Sequence, residues 1–356
     1  MRASLRRATA ALVLLLAAAC GGGASTTGQA SADVDAVAAA VRAEAEGYVG
    51  AAPGIAVHLR VGGQERTVTV GVAEVATATP LRPEHRFAVA SVTKPMVATV
   101  IMSLVEDGDL ALDDRVTDLL PGVVPHAHGV RVEHLLDHTS GVLTYDHVPM
   151  FPGFGREPAR KLVRTIRWAD PMFEPGREAA YSNTNYLLLG MIAERVTGEP
   201  IGRLLAERVF GPAGMTATTF GPTGVPPDAL AHGYADGVDV DAGSWTQPGA
   251  DAGVVATVAD VGRFLDALTG GELVAPADVA TMVAGHSILG AEPYGLGVAT
   301  ISTRCGDAIG HEGGIPGFST RAWTLVHGER TVVVAVNTST ASRSIADSLV
   351  ETALCD

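Results

Sequence analysis

The chain has 356 residues, 47% of them hydrophobic and 18% charged, which is too apolar for a disordered polypeptide and long enough for one large domain or two modest ones. Its 25 basic residues stand against 39 acidic ones, a formal charge of −14, so a nucleic-acid partner held by a basic surface is excluded. Only one early stretch is continuously apolar, which excludes a multi-span transporter.

That stretch opens the chain. Arg2, Arg6 and Arg7 precede an apolar run from Ala10 to Ala19. The run is shorter than the roughly 20 residues a membrane-spanning helix needs, so residues 1–19 read as a signal peptide. Ala17-Ala18-Ala19-Cys20 resembles a bacterial lipobox, in which Cys20 is lipidated and becomes the mature N-terminus. Ordinary cleavage after Ala19 is the alternative. Residues 20–32 hold no core-forming side chain after Cys20 and read as a flexible tether. The expected location is the outer face of the cell membrane, or secreted if Cys20 carries no lipid.

From there the elements follow in order. Val34, Val37 and Val41 lie at helical spacing in the Ala-rich segment Asp33 to Glu46. Ile55 to Val61 and Thr67 to Val72 read as two strands joined at Gly62-Gly63. The strongest helix follows Ser91, with Met96, Val97, Val100, Ile101, Leu104 and Val105 in period, Pro95 in its first turn and Gly108 at its stop. Further helices are predicted over Lys161 to Trp168, Asn185 to Val196, Ile201 to Val209, Val258 to Leu268 and Ala277 to Val283. Tyr294 to Ile301, Arg321 to Val326 and Thr331 to Val336 are β-branched runs between Gly-rich turns, and Ser342 to Leu354 closes the chain as a helix. Strands from both chain ends imply one α/β domain over residues 33–356, because neither half buries its face alone. A mainly helical lobe over roughly 110–255 is inserted in it, leaving a cleft between the two parts. Gly211 to Pro227 and Asp236 to Gly253 are long Gly/Pro/Asp-rich loops that read as a binding rim.

Three short patterns carry chemistry. In Ser91-Val92-Thr93-Lys94, the serine and lysine fall one turn apart on one helix face. A serine hydroxyl needs a base to become nucleophilic, and a lysine can be that base only when neutral, which burial beside a positive helix end favours. The sequence has just two lysines, Lys94 and Lys161. Tyr181-Ser182-Asn183 offers a proton shuttle and an amide. Gly310-His311-Glu312-Gly313-Gly314 offers a positive or hydrogen-bonding edge and a backbone that substrate can approach. Read singly, an N-cap serine with a surface lysine and a tight turn with an exposed histidine remain open. Cys305 and Cys355, an even pair in an exported chain, read as a disulfide closing a loop of about 50 residues, worth roughly 4 kcal/mol; two buried free thiols are the alternative.

Other clusters are weaker. His134 and His138 stand four apart as zinc ligands do, among His126, His128 and His147, but no glutamate sits inside the pair in the metalloprotease order, and no metal or other cofactor is expected. Asp113-Asp114 and Asp239/Asp241 read as solvated turns.

Together, Ser-x-x-Lys, Tyr-x-Asn and His-x-Gly, with "HLLDHTSG" from His134, "EPGREAAYSNTNYLLLG" from Glu174 and "FGPAGM" from Phe210, resemble the serine β-lactamase and penicillin-binding D,D-peptidase superfamily. The branch resembled holds the class C β-lactamases and the Streptomyces-type D-alanyl-D-alanine carboxypeptidase. The resemblance implies an acyl-enzyme on Ser91, with Lys94 and Tyr181 sharing general-base and general-acid work. It implies that Asn183 positions Lys94 and the substrate amide, and that His311 supports the proton path and the substrate. The backbone N–H groups of Ser91 and Gly314 would form an oxyanion hole, with Glu312 and Gly313 against the substrate.

Two positions depart from the carboxypeptidase pattern. Glu312 replaces its threonine, and Ala299 stands where it has an arginine. A negative charge gained and a positive one lost both disfavour a substrate ending in a carboxylate. Three readings follow: a hydrolase of D-alanyl peptides, β-lactams or esters, a carboxylesterase on the same fold, or a slowly acylating sensor of penicillin or wall peptide. A small-molecule or peptide substrate is the expected partner, with the membrane met only through the N-terminal lipid and the chain acting as a monomer.

Overall fold

The computed structural model describes residues 25–147, 157–240, 248–290, 292–326, 329–340 and 342–356. The signal segment and Cys20 lie outside the described residues. At the centre is an antiparallel sheet of nine strands. β1 (Gly54–Val61), β2 (Gln64–Glu74) and β3 (Thr79–Pro80) come early in the chain. β4 (Ser287–Leu289), β5 (Glu292–Tyr294), β6 (Ala299–Thr303), β7 (Gly306–Ile315), β8 (Phe318–Leu325) and β9 (Arg330–Val336) come late. Their lateral order is β3-β2-β1-β9-β8-β7-β6-β5-β4, so the early and late groups join where β1 pairs with β9, Ile55 opposite Val336 and Val61 opposite Arg330.

The two-residue period of these strands sorts their side chains between two cores. Ile55, Val57, Leu59, Val332, Val334 and Val336 point to the face covered by the N-terminal helix (Ser25–Glu46) and the C-terminal helix (Ser342–Cys355). Val34, Val37, Val41 and Ala45 of the first and Ile345, Leu349 and Ala353 of the second are buried there. Glu44 ties the two helices together, accepting from Ser348 Oγ and Thr352 Oγ1 at 2.5 and 2.6 Å. Ala56, Val333 and Ala335 point the other way, into the core of the segment inserted between β3 and β4. The chain therefore needs both ends to complete its sheet, as the apolar patterns required.

Local departures have local causes. The N-terminal helix begins at Ser25 rather than Asp33, taking in residues 25–32 that read as tether, because extending a helix already nucleated costs little per residue. The predicted strand Tyr294 to Ile301 is two strands, broken at Gly297 with φ +85°. β7 is not among the β-branched runs, since Gly306, Gly310, Gly313 and Gly314 dilute its apolar pattern; the family resemblance alone puts His311 and Glu312 on a C-terminal strand, as they are. The predicted helix over Ile201 to Val209 is α-helical only across Ile201–Leu205 and widens to a π-type coil over Ala206–Phe210. The insertion is also not purely helical, for Phe87–Ala88, Val254–Ala256 and Thr219–Phe220 form a small second sheet. Cys305, at the β6–β7 turn, is disulfide-bonded to Cys355 at the end of the C-terminal helix, with Cα atoms 5.4 Å apart.

Candidate active site

Ser91 lies in a single 3₁₀ turn (Ala90–Val92) that runs directly into the helix Thr93–Glu106. No side chain caps this helix, so the serine is not spent as an N-cap. Lys94, one turn along, is wholly buried. Its Nζ donates to Ser91 Oγ, Asn183 Oδ1 and the Asp251 carbonyl, each at 2.8 Å. Three acceptors match three ammonium protons. Burial pushes the Lys94 pKa down to about 8, with the nearby carboxylates of Asp251 and Asp146 acting in the opposite direction.

The partners of Lys94 are themselves held. Asn183 Nδ2 donates to Asp146 Oδ2 at 3.1 Å and its backbone N–H to Thr144 Oγ1 at 3.1 Å. Tyr145 donates its phenol to Asp251 Oδ2 at 2.6 Å. The Tyr181 ring lies over the ammonium, 4.9 Å from Nζ to centroid. Although 38% of Tyr181 remains exposed, the crowding around it raises its phenol pKa well above the usual value, and a hydrogen bond with Ser91 pulls the other way. The phenol is therefore protonated at neutral pH.

β7 forms the opposite wall. Gly313 lies so close to the serine turn that a Cβ there would fall 2.3 Å from the Val89 carbonyl oxygen and 3.2 Å from Ser91 N. Only glycine permits that approach. Gly314 next to it faces open space. His311 is buried, and its Nδ1 donates to the Glu312 carbonyl, which leaves Nε2 to accept from Tyr294 at 3.0 Å. Burial first and Lys94 second push the His311 pKa down to about 3. The histidine is thus a neutral hydrogen-bonding edge and not the positive one that remained open from sequence.

A cavity of about 660 Å³ opens on Ser91, Tyr181 and this strand. Glu312 and Ala299 both line it, but the charge balance there differs from the sequence expectation. Glu312 Oε1 accepts from Arg343 at 2.7 Å and its Oε2 pairs with Arg321 at 3.3 Å. Arg321 stands directly opposite Glu312 in the β7–β8 register, and Arg343 comes from the C-terminal helix. The positive charge missing at Ala299 is supplied by other elements.

A family model described as Beta-lactamase matches residues 37–353. The chain belongs to the beta-lactamase family. Among curated relatives, a D-aminopeptidase of Brucella anthropi is 26% identical over 341 residues, 90% of this chain and 63% of that protein. Esterase EstB of Burkholderia gladioli is 34% identical over 183 residues, 47% of this chain and 46% of the esterase. Among solved structures, a D-stereospecific amidohydrolase from Streptomyces sp. superimposes with a TM-score of 0.79 at 29% identity, covering 89% of this chain and 98% of that one. The chain spans less than two thirds of the length of the curated relatives it matches. This beta-lactamase-family chain shares with them a mixed fold of large antiparallel sheet and flanking helices.

Every residue singled out by the three sequence patterns meets at this one cavity or directly behind it. The remaining expectations separate. His134 Nδ1 accepts the Arg131 N–H, while His138 lies beyond the helix Val132–Leu136 and bonds elsewhere, so the two do not share one helix face. Asp114 accepts the Ala111 N–H and Asp113 pairs with Arg131, as turn residues do. Asp239 bonds His232, and Asp241 falls outside the described residues. The described parts of the two long loops do not line the cavity; Asp251 contributes from behind instead, through Lys94. Asp146, Tyr145, Asp251, Arg321 and Arg343 were missed. Of these, only the cross-strand pairing of Glu312 with Arg321 had a signal in the sequence, and reading it required knowing that β7 is a strand.

Proposed function

We propose that this protein is an extracytoplasmic serine hydrolase that cleaves amides or esters through an acyl-enzyme on Ser91. The observation that carries the reading is the 2.8 Å contact between a buried Lys94, its pKa lowered to about 8, and the Ser91 hydroxyl. Neutral Lys94, with Tyr181 as relay, takes the Ser91 proton as Oγ attacks the substrate carbonyl. The N–H groups of Ser91 and Gly314 receive the developing oxyanion, and the proton returns to the departing amine or alkoxide through Tyr181. Water then attacks the acyl carbonyl, yields its proton to the same pair, and frees the serine.

The relatives include a D-aminopeptidase, a D-stereospecific amidohydrolase, an esterase and a penicillin-binding protein, which supports D-alanyl peptides, β-lactams and simple esters as the panel to try. Purified enzyme is mixed with p-nitrophenyl esters, nitrocefin and D-alanyl peptides, and product per enzyme is counted. Many turnovers on at least one class are expected. A single burst without turnover would replace the hydrolase with the slowly acylating sensor. Membrane attachment through Cys20 rests on the lipobox-like segment alone; Cys20→Ser is expected to move the protein out of the membrane fraction, and unchanged partitioning would remove the lipid anchor.

A further inference from the structure

His138 lies outside the three patterns, yet its surroundings assign it a task. It sits just past the short helix Val132–Leu136 with φ +62°, the left-handed region that glycine or asparagine usually fills at such a position. A histidine held there carries a conformational cost, so something about its side chain or carbonyl is needed. Both are used on the same neighbour. The His138 carbonyl accepts the Ala180 N–H at 3.0 Å, and its Nδ1 accepts the Ser182 N–H at 3.2 Å. These two bonds straddle Tyr181. The His138 ring lies against the Tyr181 ring, centroids 4.4 Å apart and planes tilted by 33°.

The ring's protonation follows from the donors around it. Ser182 N–H can only donate, and Asn185 Nδ2 also lies 3.2 Å from Nδ1, with Asn185 Oδ1 fixed as an acceptor by Ser140. Nδ1 is therefore unprotonated and Nε2 carries the hydrogen. That Nε2–H is buried and has no nitrogen or oxygen partner among the described residues; the rings of Tyr186 and Tyr294 lie 5.4 and 5.0 Å away by centroid. A buried donor without a polar acceptor is uncommon, and it places the histidine here for its Nδ1 edge and its flat face. Burial first, and then the charge on Lys94, keep it neutral.

We infer that His138 is a positioning residue for Tyr181, clamping the backbone on both sides of the tyrosine and backing its ring so that the phenol stays on Ser91. The inference rests on the proposed role of Tyr181 in proton transfer. A misplacement of about 1 Å in such a group costs on the order of 100-fold in rate.

The test is a double-mutant cycle on hydrolysis of a p-nitrophenyl ester, with thermal unfolding measured for each variant. His138→Gly relaxes the backbone and removes clamp and ring; it is expected to lower kcat by about 10- to 100-fold with KM little changed. His138→Asn tolerates the positive φ and places Oδ1 where Nδ1 lies, so it should recover part of that loss. In a Tyr181→Phe background, already slowed by about 100-fold or more, the same His138 substitutions should cost less than about threefold. An equal cost in both backgrounds would show that His138 supports the fold at large and overturn the inference. So would a His138→Gly enzyme with full activity. If the glycine variant does not fold, the cycle is read on His138→Asn, with the same criterion of a loss present with Tyr181 and absent without it. Full activity of Tyr181→Phe alone would instead remove the tyrosine's role, and the positioning role with it.

Discussion

The two walls of the cavity use charge in opposite ways. Behind Ser91, a cation is sealed from water: Lys94 is fully buried and meets a hydroxyl, an amide and a backbone carbonyl, with the Asp146 carboxylate one bond further out and the Asp251 carboxylate held by Tyr145. At the far end, Glu312 is 40% exposed and is gripped by two guanidinium groups, one buried and one 73% exposed. Burial makes the Lys94 proton easy to remove, and so sets reactivity. Exposed pairs are screened and exchange partners at small cost, so they set preference. The comparison teaches that rate and selectivity are separable in this molecule, because they are written in different dielectric surroundings.

The largest effect tests the inner wall. Ser91→Ala should lower turnover by more than about 10⁴-fold and abolish labelling by a fluorophosphonate, with thermal stability retained because only a hydroxyl is lost. Labelling at the wild-type rate would mean that the nucleophile is elsewhere.

Next comes the pH profile. Lys94 acts as a base only when neutral, and its pKa lies near 8 because burial disfavours the charge. The acylation rate should rise about tenfold per unit below pH 8 and level off above it, giving on the order of 50-fold between pH 6 and 8. His311, lowered to about 3, should add no inflection near 6.5. A profile flat from pH 6 to 9 would contradict a lysine-dependent step.

The outer wall is probed by selectivity. Glu312→Thr releases Arg343 and the Nη2 edge of Arg321, whose Nε stays on Asp347 at 2.6 Å, to meet a substrate carboxylate. Activity on a D-Ala-D-Ala-terminated peptide should rise relative to a neutral ester by about tenfold, or 1.4 kcal/mol, without any change at Ala299. Equal changes on both substrates would show that this end does not read carboxylates. Arg343→Ala should have the smallest effect, less than about 1 kcal/mol on stability, since its partner is half-exposed and Arg321 remains. A loss of several kcal/mol would mean the outer pair is structural.

How much of this was legible follows the same division. The Ser91–Lys94 spacing and the apolar helix after it announced the inner wall, because helix period fixes which side chains share a face. The middle of the sheet, β2, β1, β9 and β8, was legible from β-branched runs, and its short edge strands β3 and β4 were not. β7 was legible through the family resemblance alone, since its glycines, Gly313 among them for close approach to Ser91, erase the alternation that marks a strand. Without β7 in register, Arg321 had no visible link to Glu312. Asp251 and Asp146 reach Lys94 from loops distant in sequence, and loops carry no period from which proximity can be read.

The junction of β1 with β9 has a consequence for how the molecule is made. Ile55 pairs with Val336, so a ribosome delivering the chain N-terminus first exposes β1 long before its neighbour exists. The sheet is closed only by contacts of high sequence separation, which form late and slowly. Until β9 emerges, β1 offers an open edge to any other strand, and a holdase is the kind of companion such a nascent chain would need.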